Sequence, residues 1–96
     1  METPSIPSAV LSAGTTTAVT GAGYLTAIML HPGSAASTVT FYDNTAGSGT
    51  VLAILQGPAS GATAIIPFDS AIRFKIGITA VVSGTGAQAQ VYYQGA

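Results

Sequence analysis

Ala87-Gln88-Ala89-Gln90-Val91-Tyr92-Tyr93-Gln94 sets Ala87, Ala89, Val91 and Tyr93 against Gln88, Gln90, Tyr92 and Gln94. Period two is the side-chain period of a β-strand, so this stretch predicts a strand with one apolar face and one amide-rich, uncharged face. A face of that kind can meet a partner without stranding charges. The same sorting works upstream. In Ala71-Ile72-Arg73-Phe74-Lys75-Ile76, the residues Ile72, Phe74 and Ile76 fall on one side and Arg73 and Lys75 on the other. Val39 and Phe41 likewise oppose Thr38, Thr40 and Tyr42.

Working outward, short runs rich in Val, Ile, Thr, Phe and Tyr recur between Gly, Ser, Pro and Asn clusters at a spacing of roughly 8 to 12 residues, the pattern of a sandwich or barrel. Strands are expected over 24–31, 37–42, 50–55, 62–67, 71–75, 78–83 and 87–94, with one or two weaker ones between residues 9 and 20. No charged helix face and no capping box accompanies them. The fold class that follows is all-β, a single antiparallel β-sandwich of about eight strands. Its connectors carry turn chemistry. Asp43-Asn44-Thr45-Ala46-Gly47-Ser48-Gly49 places Asx residues at a strand end, and Gly84-Thr85-Gly86 suits a tight hairpin. Residues 1–8 hold two prolines and one charge, so they are expected as an extended N-terminal arm that either frays or reaches a neighbour, with the sandwich domain over 9–96.

Five of the 96 residues are charged, giving a net charge of -1, against roughly a quarter in an ordinary domain. An uncharged surface does little to keep copies apart, so the composition points to an assembly or structural protein and to a homo-oligomer rather than an independent catalyst. There are no cysteines, which removes disulfides and thiolate metal sites as staples for a small core. With Arg73 and Lys75 as the only fixed positive side chains, counterion-release binding of nucleic acid is not expected. The most apolar window, residues 24–30, falls well short of the roughly 20 residues a membrane helix needs, and the first residues lack the basic start of an export signal.

The residues that could carry chemistry are few. His31, the one histidine, precedes Pro32-Gly33 at a strand end, with no nucleophile elbow anywhere to serve it. Asp43 and Asp69 read as a turn former and the start of an Asp69-Ser70 bend rather than a glycosidase pair. Asp43 with Asn44 could offer oxygens to calcium, but a single carboxylate suits an Asx turn better. No catalytic residue, metal ligand, cofactor or small-molecule substrate is therefore expected. Arg73 and Lys75, sharing one strand face, are candidates for orienting a docked neighbour. The amide face (Gln88, Gln90, Tyr92) and the arm (Thr3, Pro4, Ile6, Pro7) complete the expected contact set.

Val39-Thr40-Phe41-Tyr42-Asp43-Asn44, Gly49-Thr50-Val51-Leu52, Ile72-Arg73-Phe74-Lys75-Ile76-Gly77-Ile78 and Val82-Ser83-Gly84-Thr85-Gly86-Ala87, leading to Val91-Tyr92-Tyr93, span about half the chain. In these segments the chain resembles small virion proteins of tailed bacteriophages, especially phages of aquatic bacteria. The resemblance implies a β-sandwich, of jelly-roll or related type, that assembles as a trimer. It also implies a capsid cement or decoration protein on the outer surface of the phage head, made in the host cytoplasm and stabilising adjacent major capsid proteins. Family members of this kind also occur in tails, so the alternative is a tail or fibre component that recognises host-surface glycans through Tyr24, Tyr42 or Tyr92. The resemblance carries no catalytic residues.

Overall fold

The β-branched and aromatic runs form nine strands in a computed structural model that describes residues 5–95. In order these are β1 (Ile6–Pro7), β2 (Leu11–Ser12), β3 (Gly14–Thr20), β4 (Gly23–His31), β5 (Ser37–Asp43), β6 (Thr50–Gly57), β7 (Ala64–Phe74), β8 (Gly77–Ser83) and β9 (Gln88–Gly95). No helix occurs among the described residues. The first sheet runs β1-β9-β4-β7, with β2 also paired to β9, and the second runs β3-β8-β5-β6. All pairs are antiparallel. The two sheets pack face to face as the expected β-sandwich.

The pairing is nested. β5 pairs with β6, β4 with β7, β3 with β8 and β2 with β9, each pair enclosing the one before it and alternating between the two sheets. The core lies between the sheets, where large and small side chains sit side by side. Phe41 lies between its partners Ala53 and Ala80, and Leu30 lies between Ala64 and Ala89. Phe41, Leu30, Ala80 and Ala89 are fully buried. Alternation of this kind lets facing layers interdigitate at native density.

Three expectations need correcting. The strands expected over 62–67 and 71–75 are one strand, β7. Its pairing with β4 jumps from Pro67 opposite Ala27 to Ile72 opposite Leu25. Residues 68–71 therefore bulge out against Thr26 alone, and the Asp69-Ser70 signal marks that bulge rather than the end of a strand. Next, Ile76 does not continue the core face of Ile72 and Phe74. β7 ends at Phe74, and Ile76 is 51% exposed in the bend before β8. Lys75 occupies the same bend, so Arg73 and Lys75 do not share a strand face.

The third correction concerns the arm. Within it, Ile6 and Pro7 are extended as expected, but they pair with Tyr93 and Tyr92 of their own chain, so the first sheet begins at Ile6 and not after residue 8. Ser8 fastens the segment: its N–H donates to the Val91 carbonyl (2.8 Å), and its Oγ accepts from the Val91 N–H (3.1 Å). Thr3 and Pro4 lie outside the described residues.

Candidate functional site

The two outer faces of the sandwich differ. On the second sheet, Thr79 points away from the core between the buried Ile78 and Ala80, yet it is fully buried. The β5–β6 loop folds back over it, with the Thr79 hydroxyl donating to the Asn44 carbonyl (2.8 Å) and the Thr17 hydroxyl to the Thr45 carbonyl (3.2 Å). Asn44 ties that loop together: its Oδ1 accepts the Thr45 N–H (2.8 Å) and its Nδ2 donates to the Ser48 carbonyl (2.8 Å).

Asp43 does not form the turn it was expected to form in its own loop. Its carboxylate reaches the β7–β8 bend and accepts the N–H groups of Lys75 (3.0 Å), Ile76 (2.9 Å) and Gly77 (3.4 Å). Burial raises the carboxyl's pKa, but the hydrogen bonds from Ile76, Lys75 and Gly77 and the charge of Lys75 outweigh it, leaving the group below its ordinary value. A depressed folded-state pKa gives stability that is present above the unfolded value of about 3.9 and is lost as pH falls through the lower folded value. Asp43→Asn is therefore expected to cost about 1–2 kcal/mol at neutral pH, from weakened charge-assisted hydrogen bonds. The wild-type advantage should shrink as pH is lowered below about 4. Urea unfolding of both proteins at pH 7 and in acid checks this, and a difference that is constant with pH would refute it.

The outer face of the first sheet is open, and most of the expected contact residues meet there. Strand register places Pro7, Tyr92, Ala27 and Pro67 in one row, and Gln90, Met29 and Ile65 in the next. Ser12, Gln88 and His31 lie beyond them, and Gln94, Tyr24 and Arg73 form the opposite end. Arg73 alone among these residues carries a fixed charge. Gln90 and Tyr92 also bind the segment beside them: Gln90 Nε2 donates to the Ser8 carbonyl (2.7 Å) and Tyr92 donates its hydroxyl proton to Gln90 Oε1 (3.2 Å). Lys75 is not part of this face.

Met29 and Ile65 were missed by sequence reasoning. The outward set of β4 is hard to read by period two because the register shifts between Leu25 and Ala27. Ile65 sits in an Ile-Ile pair that gives no alternation; it is 56% exposed. His31 lies at the border of the face, its Nδ1 2.6 Å from the Thr63 hydroxyl. Among the described residues, no three His, Cys, Asp or Glu side chains converge on a common point, and no buried side-chain polar atom lacks a hydrogen-bond partner. A shallow hollow lined by Ser37, Thr38, Gln56 and Pro58 contains no titratable group. No protein-family model matches the chain, and no curated protein matches it in sequence.

Proposed function

We propose that this chain is a structural virion protein, a decoration protein that binds the outer surface of a bacteriophage head as a trimer and ties adjacent major capsid proteins together. The observation that carries the proposal is the outer face of the first sheet. It is a broad surface of amide, aromatic and aliphatic groups whose paired rows hold Arg73 as their one fixed charge, with Asp69 in the bulge at its edge. Such a surface can be covered without the desolvation penalty of buried ions. Two further features support the reading. The nested strand pairing is the order expected from rolling one long hairpin into two sheets, which supports reading the sandwich as a jelly roll, an architecture used by viral capsid proteins. The motifs that resemble phage virion proteins fall on most of β5, the start of β6, the end of β7 and parts of β8 and β9.

The mechanism is thermodynamic. A protein that binds the expanded shell and not its precursor stabilises the expanded state by mass action, and symmetry multiplies many weak contacts into avidity. Added to expanded heads lacking decoration, the protein should co-sediment with them and raise their disruption temperature. Ile65→Lys, which puts an unpaired charge on the apolar β7 side of the face, should weaken binding about tenfold or more. Wild-type protein that leaves the heads untouched, or a lysine variant that binds equally well, would remove the basis for the proposal. The glycan-recognition alternative rests on fewer rings than expected. Tyr24 is exposed, at 39%, whereas Tyr42 and Tyr92 are half-buried.

A further inference from the structure

We propose that β6 is a self-pairing edge, joining antiparallel to β6 of a second copy of this chain about a two-fold axis. Four strand edges flank the two sheets, and three are blunted. At one end of the first sheet, β1 and β2 are two-residue pieces, one containing Pro7. At its other end, β7 carries Pro67, Asp69, Arg73 and the bulge of residues 68–71. In the second sheet, β3 is interrupted by a register shift between Thr17 and Val19, and its exposed side chains are mainly threonines. β6 is the least protected: its one irregularity is the extra residue Leu52 near its start, where the pairing steps from Ala53 opposite Phe41 to Val51 opposite Tyr42, and Ala53 to Gly57 run on regularly. Its eight residues, Thr50-Val51-Leu52-Ala53-Ile54-Leu55-Gln56-Gly57, include no charge and no proline, and its outward edge leaves backbone N–H and C=O groups unpaired. Natural edges without these devices pair with another strand.

Two observations favour a second copy as the occupant. The first is self-complementarity. With Ile54 opposite its own copy, Ala53 meets Leu55 and Leu52 meets Gln56. Residues 53 to 55 then keep their faces, because Ala53 and Leu55 face the same side as their partners Phe41 and Val39 while Ile54 faces outward with Thr40. No like charges oppose one another in this register. The second is the condition of the seam beside β6. Ile54 is the most exposed large apolar side chain among the described residues, at 57%, with Val51 at 47%. On the neighbouring β7, Ile66 pairs with the core residue Ile28 yet is still 40% exposed. The sandwich is thus open along its β6 side, and a second copy would cover side chains that already face the core.

The contact is two-fold and does not depend on docking to a phage head. The cysteine-free sequence allows a direct test on the purified full chain. Ile54→Cys should cross-link rapidly into a disulfide dimer under mild oxidation. Val10→Cys, equally exposed at 54% on the opposite side of the sandwich, should not. In sedimentation the wild type should contain an even number of chains, six where two of the proposed trimers join through β6, and Ile54→Lys should halve that mass while keeping the far-ultraviolet dichroism of the fold. Cross-linking of Ile54→Cys no faster than that of Val10→Cys would overturn the proposal. So would a lysine variant of unchanged mass, or a wild type that sediments as a monomer or trimer. The binding of heads reports on the decoration role separately, so each idea can fail without the other.

Discussion

Phe41→Ala is expected to lower the unfolding free energy by about 3–5 kcal/mol, which for a domain of this size means a drop in melting temperature of roughly 15 °C or more. The size of the effect follows from the neighbours. Phe41 sits on β5 in the interior of the second sheet, fully buried, and its partners on the same face are Ala53 and Ala80. Truncation would leave three alanines abreast. None of them can swing into the vacated volume, so the cavity stays open and its full cost is felt. Phe41→Leu should recover most of the loss because it refills most of that space. Denaturant unfolding with an unchanged slope measures both. A loss under about 1 kcal/mol for the alanine variant would mean that the row collapses, contrary to this packing.

Gly33→Ala is expected to cost about 3 kcal/mol, the upper end for overpacking, because the group that would have to move is backbone. A Cβ on Gly33 would collide with the Thr85 carbonyl oxygen and come within 2.6 Å of both the Ala87 nitrogen and the Gly86 carbonyl carbon. The close approach is held by hydrogen bonds on both sides. The Ser34 N–H donates to the Thr85 carbonyl (2.9 Å) and the Ser60 N–H to the Gly33 carbonyl (2.7 Å). The β8–β9 turn on the other side is fixed by Gly84 and Gly86, both at positive φ (118° and 78°), so it cannot easily retreat. Gly95→Ala, where a Cβ would meet nothing within 4 Å, should be neutral in the same assay. Equal behaviour of the two variants would mean that the loop and turn are not in fixed contact.

These two sites also mark how far the sequence can be read. The row around Phe41 was half legible: the alternation of Val39 and Phe41 against Thr38, Thr40 and Tyr42 gave the buried face, because β5 lies flat between two neighbours. β9 was legible for the same reason, and Gln88, Gln90 and Tyr92 were placed on one outward face from their alternation alone. The pairing of Gly33 with the β8–β9 turn was not legible, since nothing local in His31-Pro32-Gly33 reports a loop fifty residues away. β7 was misread where the alternation breaks: the four residues 68–71, three more than the single Thr26 they oppose, look like the end of one strand and the start of another. The count for Ile76 failed one step past Phe74, where the chain bends to give its N–H groups to Asp43. The first residues were read as an arm from their prolines, but the pairing of Ile6 and Pro7 depends on a partner strand at the far end of the sequence.

The nested pairing of strands has a consequence for the order of events in the cell. β9 lies inside the first sheet, between β4 and the β1/β2 segment, so that sheet has no continuous centre until residues 88–95 have been made. Pairs such as β2 with β9 and β3 with β8 close long loops before any contact rewards them, and chains dominated by such pairs fold slowly. On a ribosome the early strands must wait, with β5 and β6 the one adjacent pair able to form first. That hairpin exposes the bare β6 edge while the rest of the chain is still unfolded, so the time between synthesis and closure is when premature association between nascent chains is most dangerous.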